Sequence, residues 1–223
     1  MKGAVRNIAG GVATLAFLFI PLFAPARTFR FWQGSVYLAV CSVAFATIYT
    51  YLQRSDPELL RRRMRGPAAE REISQKLTQL VAPLLFVSVI ALSSLGQRTP
   101  SSQVPFYATI AGFGLVVLGF FVMYRALREN TFAAANIDVE AGQTVIATGP
   151  YALVRHPYYT GLLAWFAGSP LALGSWWGLA LFVPLALVLA WRIRFEERFL
   201  AQHLPGYADY RRSVRFRLVP MVW

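Results

Sequence analysis

The chain alternates long apolar blocks with short polar ones. Six apolar stretches stand out, at about Ile8 to Phe23, Trp32 to Leu52, Leu77 to Leu95, Val104 to Leu127, Tyr159 to Leu173 and Trp176 to Trp191. Each reaches or nearly reaches the roughly 17 to 25 residues that a membrane-crossing helix needs. The fifth is short, and only Gly174 and Ser175 separate it from the sixth, so the last two read as a tight helical hairpin that need not cross the whole bilayer. The pattern predicts an all-α integral membrane protein with five to six transmembrane helices.

Composition agrees, with 57% hydrophobic residues, 14% charged residues and a mean hydropathy of +0.47, too apolar for an ordinary soluble domain. Charge adds an orientation. With the amino terminus placed inside, 19 of the 22 lysines and arginines fall in the inside segments, and only Arg27, Arg30 and Arg98 fall outside. That asymmetry predicts cytoplasmic inner segments, which in a bacterium means the inner membrane. All ten acidic residues lie there too, so the chemistry is expected on the cytoplasmic side. The net charge of +12 follows from arginines bordering apolar spans, which topology and anionic headgroups explain without nucleic acid. Lys2, Arg6 and Ala24-Pro25-Ala26 imitate a signal peptide, but six spans are needed to keep both termini with the basic segments, so the first stretch reads as an uncleaved helix.

Several chemistries are disfavoured. Cys41 is the single cysteine, so no disulfide forms within the chain, and His156 and His203 are too few for a histidine-rich metal centre; no metal is expected. Gly112-Phe113-Gly114 lies inside an apolar span with no strand before it, unlike a dinucleotide fingerprint.

Two polar segments carry structure of their own. Ser55-Asp56-Pro57-Glu58 is a helix start, with serine as cap, proline in the first turn and acids at the positive dipole end. The run Leu59 to Arg65 then predicts a basic interfacial helix over about 56–72, preferred as a headgroup anchor over a substrate-binding element. Thr131 to Thr148, broken by Gly142 and closed by Gly149, is too long for a turn and too polar for a domain, which suits a cofactor lid or wall. The chain thus divides into 1–128, holding helices one to four, and 129–223, a cytoplasmic cofactor-binding region that includes the final hairpin.

The candidate chemistry sits in two clusters. Gly149 to Gly161, GPYALVRHPYYTG, places Arg155, His156 and three tyrosines at the mouth of a membrane helix, where ionisable groups are costly and mark binding sites. Pro157 fits the first turn, and free N–H groups there with His156 suit an anion. Tyr151, Tyr158 and Tyr159 offer ring faces to a base or cation; an interfacial aromatic belt is the plain alternative. In the second cluster, Arg192 and Glu196 share one helical face, with Glu197 following. Either they form an exposed pair worth about 0.3 to 0.5 kcal/mol, or Arg192 takes a substrate anion and Glu196 a cofactor group.

The order Asn136, Gln143-Thr144-Val145-Ile146, Gly149-Pro150-Tyr151, Arg155-His156-Pro157-Tyr158-Tyr159, Arg192-x-x-x-Glu196-Glu197-x-x-Leu200 and Tyr207-x-x-Tyr210 resembles the isoprenylcysteine carboxyl methyltransferase family and related membrane phospholipid methyltransferases. The resemblance spans roughly Arg125 to Pro220. It implies an S-adenosylmethionine enzyme acting on a lipophilic or lipidated substrate within the membrane. The implied cofactor set is Asn136, Gln143, Thr144, Val145, Ile146, Tyr151, His156, Pro157, Tyr158, Tyr159 and Glu196, with Arg192 at the substrate and Arg192 and Glu196 catalytic. Gln143 replaces a histidine of animal members, Leu204-Pro205-Gly206 a Phe-Gly pair and Arg215 a proline, which leaves the acceptor open among prenylcysteine carboxylates, lipid amines and hydrophobic thiols. The competing expectations are a sterol-type membrane reductase using NADPH and a non-enzymatic membrane protein.

Overall fold

The structure is a computed structural model that describes residues 17–67, 70 and 72–223. The start of the first apolar stretch, with Lys2 and Arg6, lies outside the described residues, as do Ala68, Ala69 and Arg71 of the interfacial segment. The described residues form α1 (Phe17–Ala26), α2 (Trp32–Ser55), α3 (Pro57–Arg63), α4 (Ile73–Gly96), α5 (Phe106–Glu129), α6 (Pro157–Ala172), α7 (Phe182–His203) and α8 (Tyr207–Ser213). Among them no strand occurs; Gln103 and Ser175 make one isolated antiparallel bridge. The helices α2, α4 and α5 and the segment Trp177–His203 are long and apolar enough to cross a membrane. At about 1.5 Å per residue, 24 residues extend about 36 Å, more than the roughly 30 Å hydrocarbon core. Leu84, Val117, Phe121 and Leu187 turn outward and stay more than half exposed, the lipid-facing belt of a membrane protein.

Local chemistry explains the boundaries. Ser55 ends α2, and Asp56, one residue later than expected, caps α3: its carboxylate accepts from Leu59 N at 2.9 Å, with Pro57 and Glu58 in the first turn. The helix expected over 56–72 is shorter, ending at Arg63 ahead of Gly66, whose φ of +69° breaks the helix. Beyond Trp191, α7 runs on for three turns to His203, carrying its charged face clear of the apolar segment.

The short α6 is embedded chiefly against α5, not against α7. Glycines permit this: a Cβ on Gly119 would lie 2.6 Å from Gly161 O, and one on Gly168 would lie 2.7 Å from Gly112 O. Close backbone approach at small residues is how membrane helices gain packing without a hydrophobic drive. Meanwhile α7 rests on α4, so the last two helices share a tight turn at Gly174 (φ +71°) but pack on different partners. The core between the helices holds Leu22, Phe86, Ile90, Val116, Phe120, Trp165 and Leu185. Tyr37 and Ser169 join their hydroxyls at 2.7 Å and Trp165 Nε1 donates to Tyr37 at 2.9 Å, tying α2 to α6.

Candidate active site

The polar ends of α5, α6 and α7 converge with the loop 130–148 and α8. Gly149 opens the first cluster because its backbone is left-handed (φ +54°) and an added Cβ would lie 2.7 Å from Glu129 Oε2; Thr148 Oγ1 donates to Glu129 at 2.5 Å beside it. A 3-10 turn over Gly149–Ala152 then buries Tyr151, and Pro157 starts α6 at its first position.

Glu197, 3% exposed, is the electrostatic centre of this junction. One oxygen accepts from Arg155 Nε at 2.6 Å and from His156 Nε2 at 3.3 Å; the other accepts from Arg217 Nε at 2.9 Å. Arg155 Nη1 also donates to the Val214 and Arg215 carbonyls at 2.7 and 2.8 Å. The tail closes the arrangement, since Arg155 N and His156 N donate to Phe216 O and Arg217 O, both at 2.9 Å, and Thr160 Oγ1 donates to Leu218 O at 2.7 Å. The tail therefore occupies the Arg155 and His156 N–H groups just before α6.

Above this junction lies a pocket with a cavity volume of about 110 Å³. It is lined by Asn136, Gln143, Thr144, Val145, Ile146, Tyr151, His156, Tyr158, Tyr159 and Glu196. Eleven residues were expected at a cofactor, and the pocket gathers all of them except Pro157, which is buried behind its wall as the start of α6. Arg192 also lies off the pocket. It is 7% exposed, and its Nε donates to Tyr159 OH at 2.9 Å, Nη2 to Ala135 O at 2.5 Å and Nη1 to Gln75 Oε1 at 3.5 Å, with Glu70 Oε2 at 3.9 Å. Tyr159 OH donates in turn to Glu196 Oε2 at 2.8 Å. Arg192 and Glu196 thus communicate through one phenol on α6 and do not form the simple helix-surface pair that their spacing allows.

Two polar atoms on the pocket residues are buried and without a protein partner, Asn136 Oδ1 and Tyr207 OH. Such groups cost roughly 1–3 kcal/mol when left unmade, so their presence in a pocket fits a ligand that supplies donors and acceptors. Gln143 is otherwise engaged, its Oε1 accepting from Glu140 N at 3.0 Å. Burial raises the Tyr151, Tyr207 and Tyr210 hydroxyls well above the ordinary phenol range, keeping them neutral; Tyr210 donates to Tyr151 O at 2.7 Å.

Sequence reasoning missed several contributors. Arg63 lines the pocket, donates to Ala133 O at 2.7 Å and lies 4.3 Å over the Tyr158 ring, while Arg62 donates to Thr131 O at 2.8 Å. These arginines brace the loop wall, beyond the anchoring expected of them. Tyr207 and Tyr210 carried a visible signal in their paired spacing; Glu70, Gln75 and Arg63 carried none, since only the fold brings them close. Among the described residues no group of three or more His, Cys, Asp or Glu side chains gathers to hold a metal.

Fold and site together define a helical membrane protein with an aromatic, partly charged pocket at one end of its bundle. Residues 107–205 match the family described as phospholipid methyltransferase. The matched region is the one in which the motifs resemble the isoprenylcysteine carboxyl methyltransferase family. The chain is 30% identical over 111 residues to the protein-S-isoprenylcysteine O-methyltransferase of Saccharomyces cerevisiae (48% of this chain, 46% of that protein). Identity with the enzyme of the same name from Schizosaccharomyces pombe is 29% over 133 residues (52% and 53%). A cobalt-zinc-cadmium resistance protein of Cupriavidus metallidurans is 34% identical over 102 residues (44% and 46%). The chain spans about half the length of the curated relatives it matches.

Proposed function

We propose that this protein is an integral membrane methyltransferase that uses S-adenosylmethionine to methylate a lipophilic acceptor in a pocket facing the cytoplasm. The observation that carries the reading is the presence of two unpartnered buried polar atoms, Asn136 Oδ1 and Tyr207 OH, among the pocket's motif residues. The first suits an amine and the second a ribose or amine group. Tyrosine faces suit a purine and a cationic sulfur, and Glu196 suits an ammonium. The cytoplasmic orientation is supported by the placement of 19 of 22 basic residues.

When bound, S-adenosylmethionine supplies an electrophilic methyl group on a positively charged sulfur. An in-line displacement asks the protein for proximity and a dry site more than for a strong acid or base. The loop wall Gln143 to Ile146 and the packed tyrosines of α8 exclude water, and the Glu197 network holds the tail as a lid over the start of α6. Arg192 binds an acceptor carboxylate in two-pronged fashion, exchanging Ala135 O or Gln75 for it. An amine or thiol acceptor must first lose a proton, and His156 and Glu196 are the groups within reach. The names of the yeast relatives support a prenylcysteine-type carboxylate among these acceptors.

The test is transfer of a labelled methyl group from S-adenosylmethionine to a total membrane extract, with melting of the purified protein in detergent beside it. S-adenosylhomocysteine at about 100 times its Kd should add about 2.7 kcal/mol to the folded state. Stabilisation by NADPH in its place, or no labelled species, would overturn the reading.

A further inference from the structure

On the opposite side of α7 from the pocket runs a second groove, lined by Trp191, Arg194, Arg198, Arg211 and Arg217 with Glu197 at its floor. The charges are unbalanced. Glu197 is already matched by Arg155 and Arg217, whereas Arg194, Arg198 and Arg211 have no carboxylate within ion-pair distance among the described residues. Some exposed arginines elsewhere do find acids: Arg61 pairs with Glu58, Arg65 with Glu140 and Arg212 with Asp209. Three uncompensated guanidiniums therefore face one cleft, Arg198 folded back so that its Nε donates to Arg194 O at 3.3 Å.

One wall is apolar: Trp191 is 54% exposed where the apolar part of α7 ends, and the adjoining tail carries Met221 and Val222, 89% and 78% exposed. Trp223 brings the tail to the groove, with the Arg194 and Arg217 guanidiniums 5.9 and 5.1 Å from its ring. A free anion would match the arginines and leave the apolar wall unexplained; an anion carried on an acyl chain matches both.

We propose that this groove binds the phosphate of an anionic membrane phospholipid, with Arg194, Arg198 and Arg211 as its ligands and Trp191, Met221 and Val222 seated in the same interface. The site is independent of what the pocket binds. Because Arg217 links the groove to Glu197, and the tail carbonyls hold Arg155 and His156, a bound lipid also steadies the tail over the start of α6.

The experiment melts the purified protein in nonionic detergent against rising phosphatidylglycerol, phosphatidylcholine or inorganic phosphate. A saturable rise in Tm is expected with phosphatidylglycerol alone. The R194Q/R198Q/R211Q variant should need at least tenfold more lipid for half of the shift. The R54Q/R125Q/R128Q variant, which removes equal charge from exposed ends of α2 and α5, should stay within twofold of wild type. If the groove variant does not fold, Arg211→Gln alone should still weaken the response at least threefold. An equal shift with phosphatidylcholine or with inorganic phosphate overturns the proposal, as does an equal loss in the α2 and α5 control.

Discussion

Glu196 and Glu197 are adjacent in the chain, yet their replacement by glutamine should fail in different ways. The Glu197 side chain is 3% exposed and answers Arg155, His156 and Arg217 at once. Glu197→Gln keeps the shape but removes the charge, leaving the buried Arg155 with neutral acceptors only, an amide oxygen and the Val214 and Arg215 carbonyls. Breaking one side of a buried pair costs roughly 3–5 kcal/mol. The lower end applies here, because Arg155 keeps these acceptors and the Arg217 side chain, 28% exposed, can turn to water. About 3 kcal/mol lowers the Tm of a chain of this size by about 6 to 12 °C, and the tail should become open to proteases. Glu196 is 24% exposed at the pocket and accepts one hydrogen bond from Tyr159, which an amide oxygen can also accept. Glu196→Gln should thus cost about 1 kcal/mol or less in stability while weakening S-adenosylhomocysteine about tenfold, through loss of a charge-assisted contact. The assay is thermal melting in detergent with and without S-adenosylhomocysteine. A Glu197→Gln protein melting within about 2 °C of wild type, or a Glu196→Gln protein melting as low as Glu197→Gln, would refute the division of roles.

Tyr207→Phe removes a hydroxyl that has no protein partner, so melting without ligand should be unchanged and S-adenosylhomocysteine should bind about three- to tenfold more weakly; equal affinity in titration calorimetry would detach Tyr207 from the ligand. Arg192→Ala should lower methyl transfer roughly a hundredfold while cofactor affinity stays within about threefold; parallel binding and turnover measurements decide it, and near-normal turnover would leave Arg192 a structural brace for Ala135 and Gln75. Gly119→Ala drives a methyl into Gly161 O and Trp165 N, 2.6 and 2.7 Å away, and should cost about 1–3 kcal/mol by overpacking at the α5–α6 contact, seen as a lower Tm. In a Cys41→Ser background, Ser74→Cys, Thr148→Cys and Ser213→Cys should resist an impermeant thiol reagent outside intact cells and Ser101→Cys should react; labelling at position 148 would reverse the orientation.

Much of the site could be read from the chain because its parts are short, contiguous motifs. The 143–146 run, the segment from Tyr151 to Tyr159 and Glu196 need only the two helices and one loop to meet. Arg62, Arg63, Glu70 and Gln75 were invisible: a basic run looks the same whether it faces headgroups or a loop wall, and 69 residues separate Arg62 from Thr131, 117 separate Gln75 from Arg192. The cap of α3 moved by one residue because Ser and Asp are both capable N-caps and only the backbone turn selects between them.

The sequence by itself determined the membrane class, since an apolar run's length converts directly into the thickness it can span, and it showed which residues resemble those of a methyltransferase family. Tertiary structure decided partnership. It set α6 into α5 through glycines that touch at backbone level, joined Arg192 to Tyr159 and Gln75, and made Glu197 the shared counter-charge of Arg155, His156 and Arg217. The physical reason is range. Hydrophobic length and helix periodicity are properties of neighbours in the chain, whereas the partner of a buried charge is fixed by where distant helices cross, and a lone charged letter carries no record of that crossing.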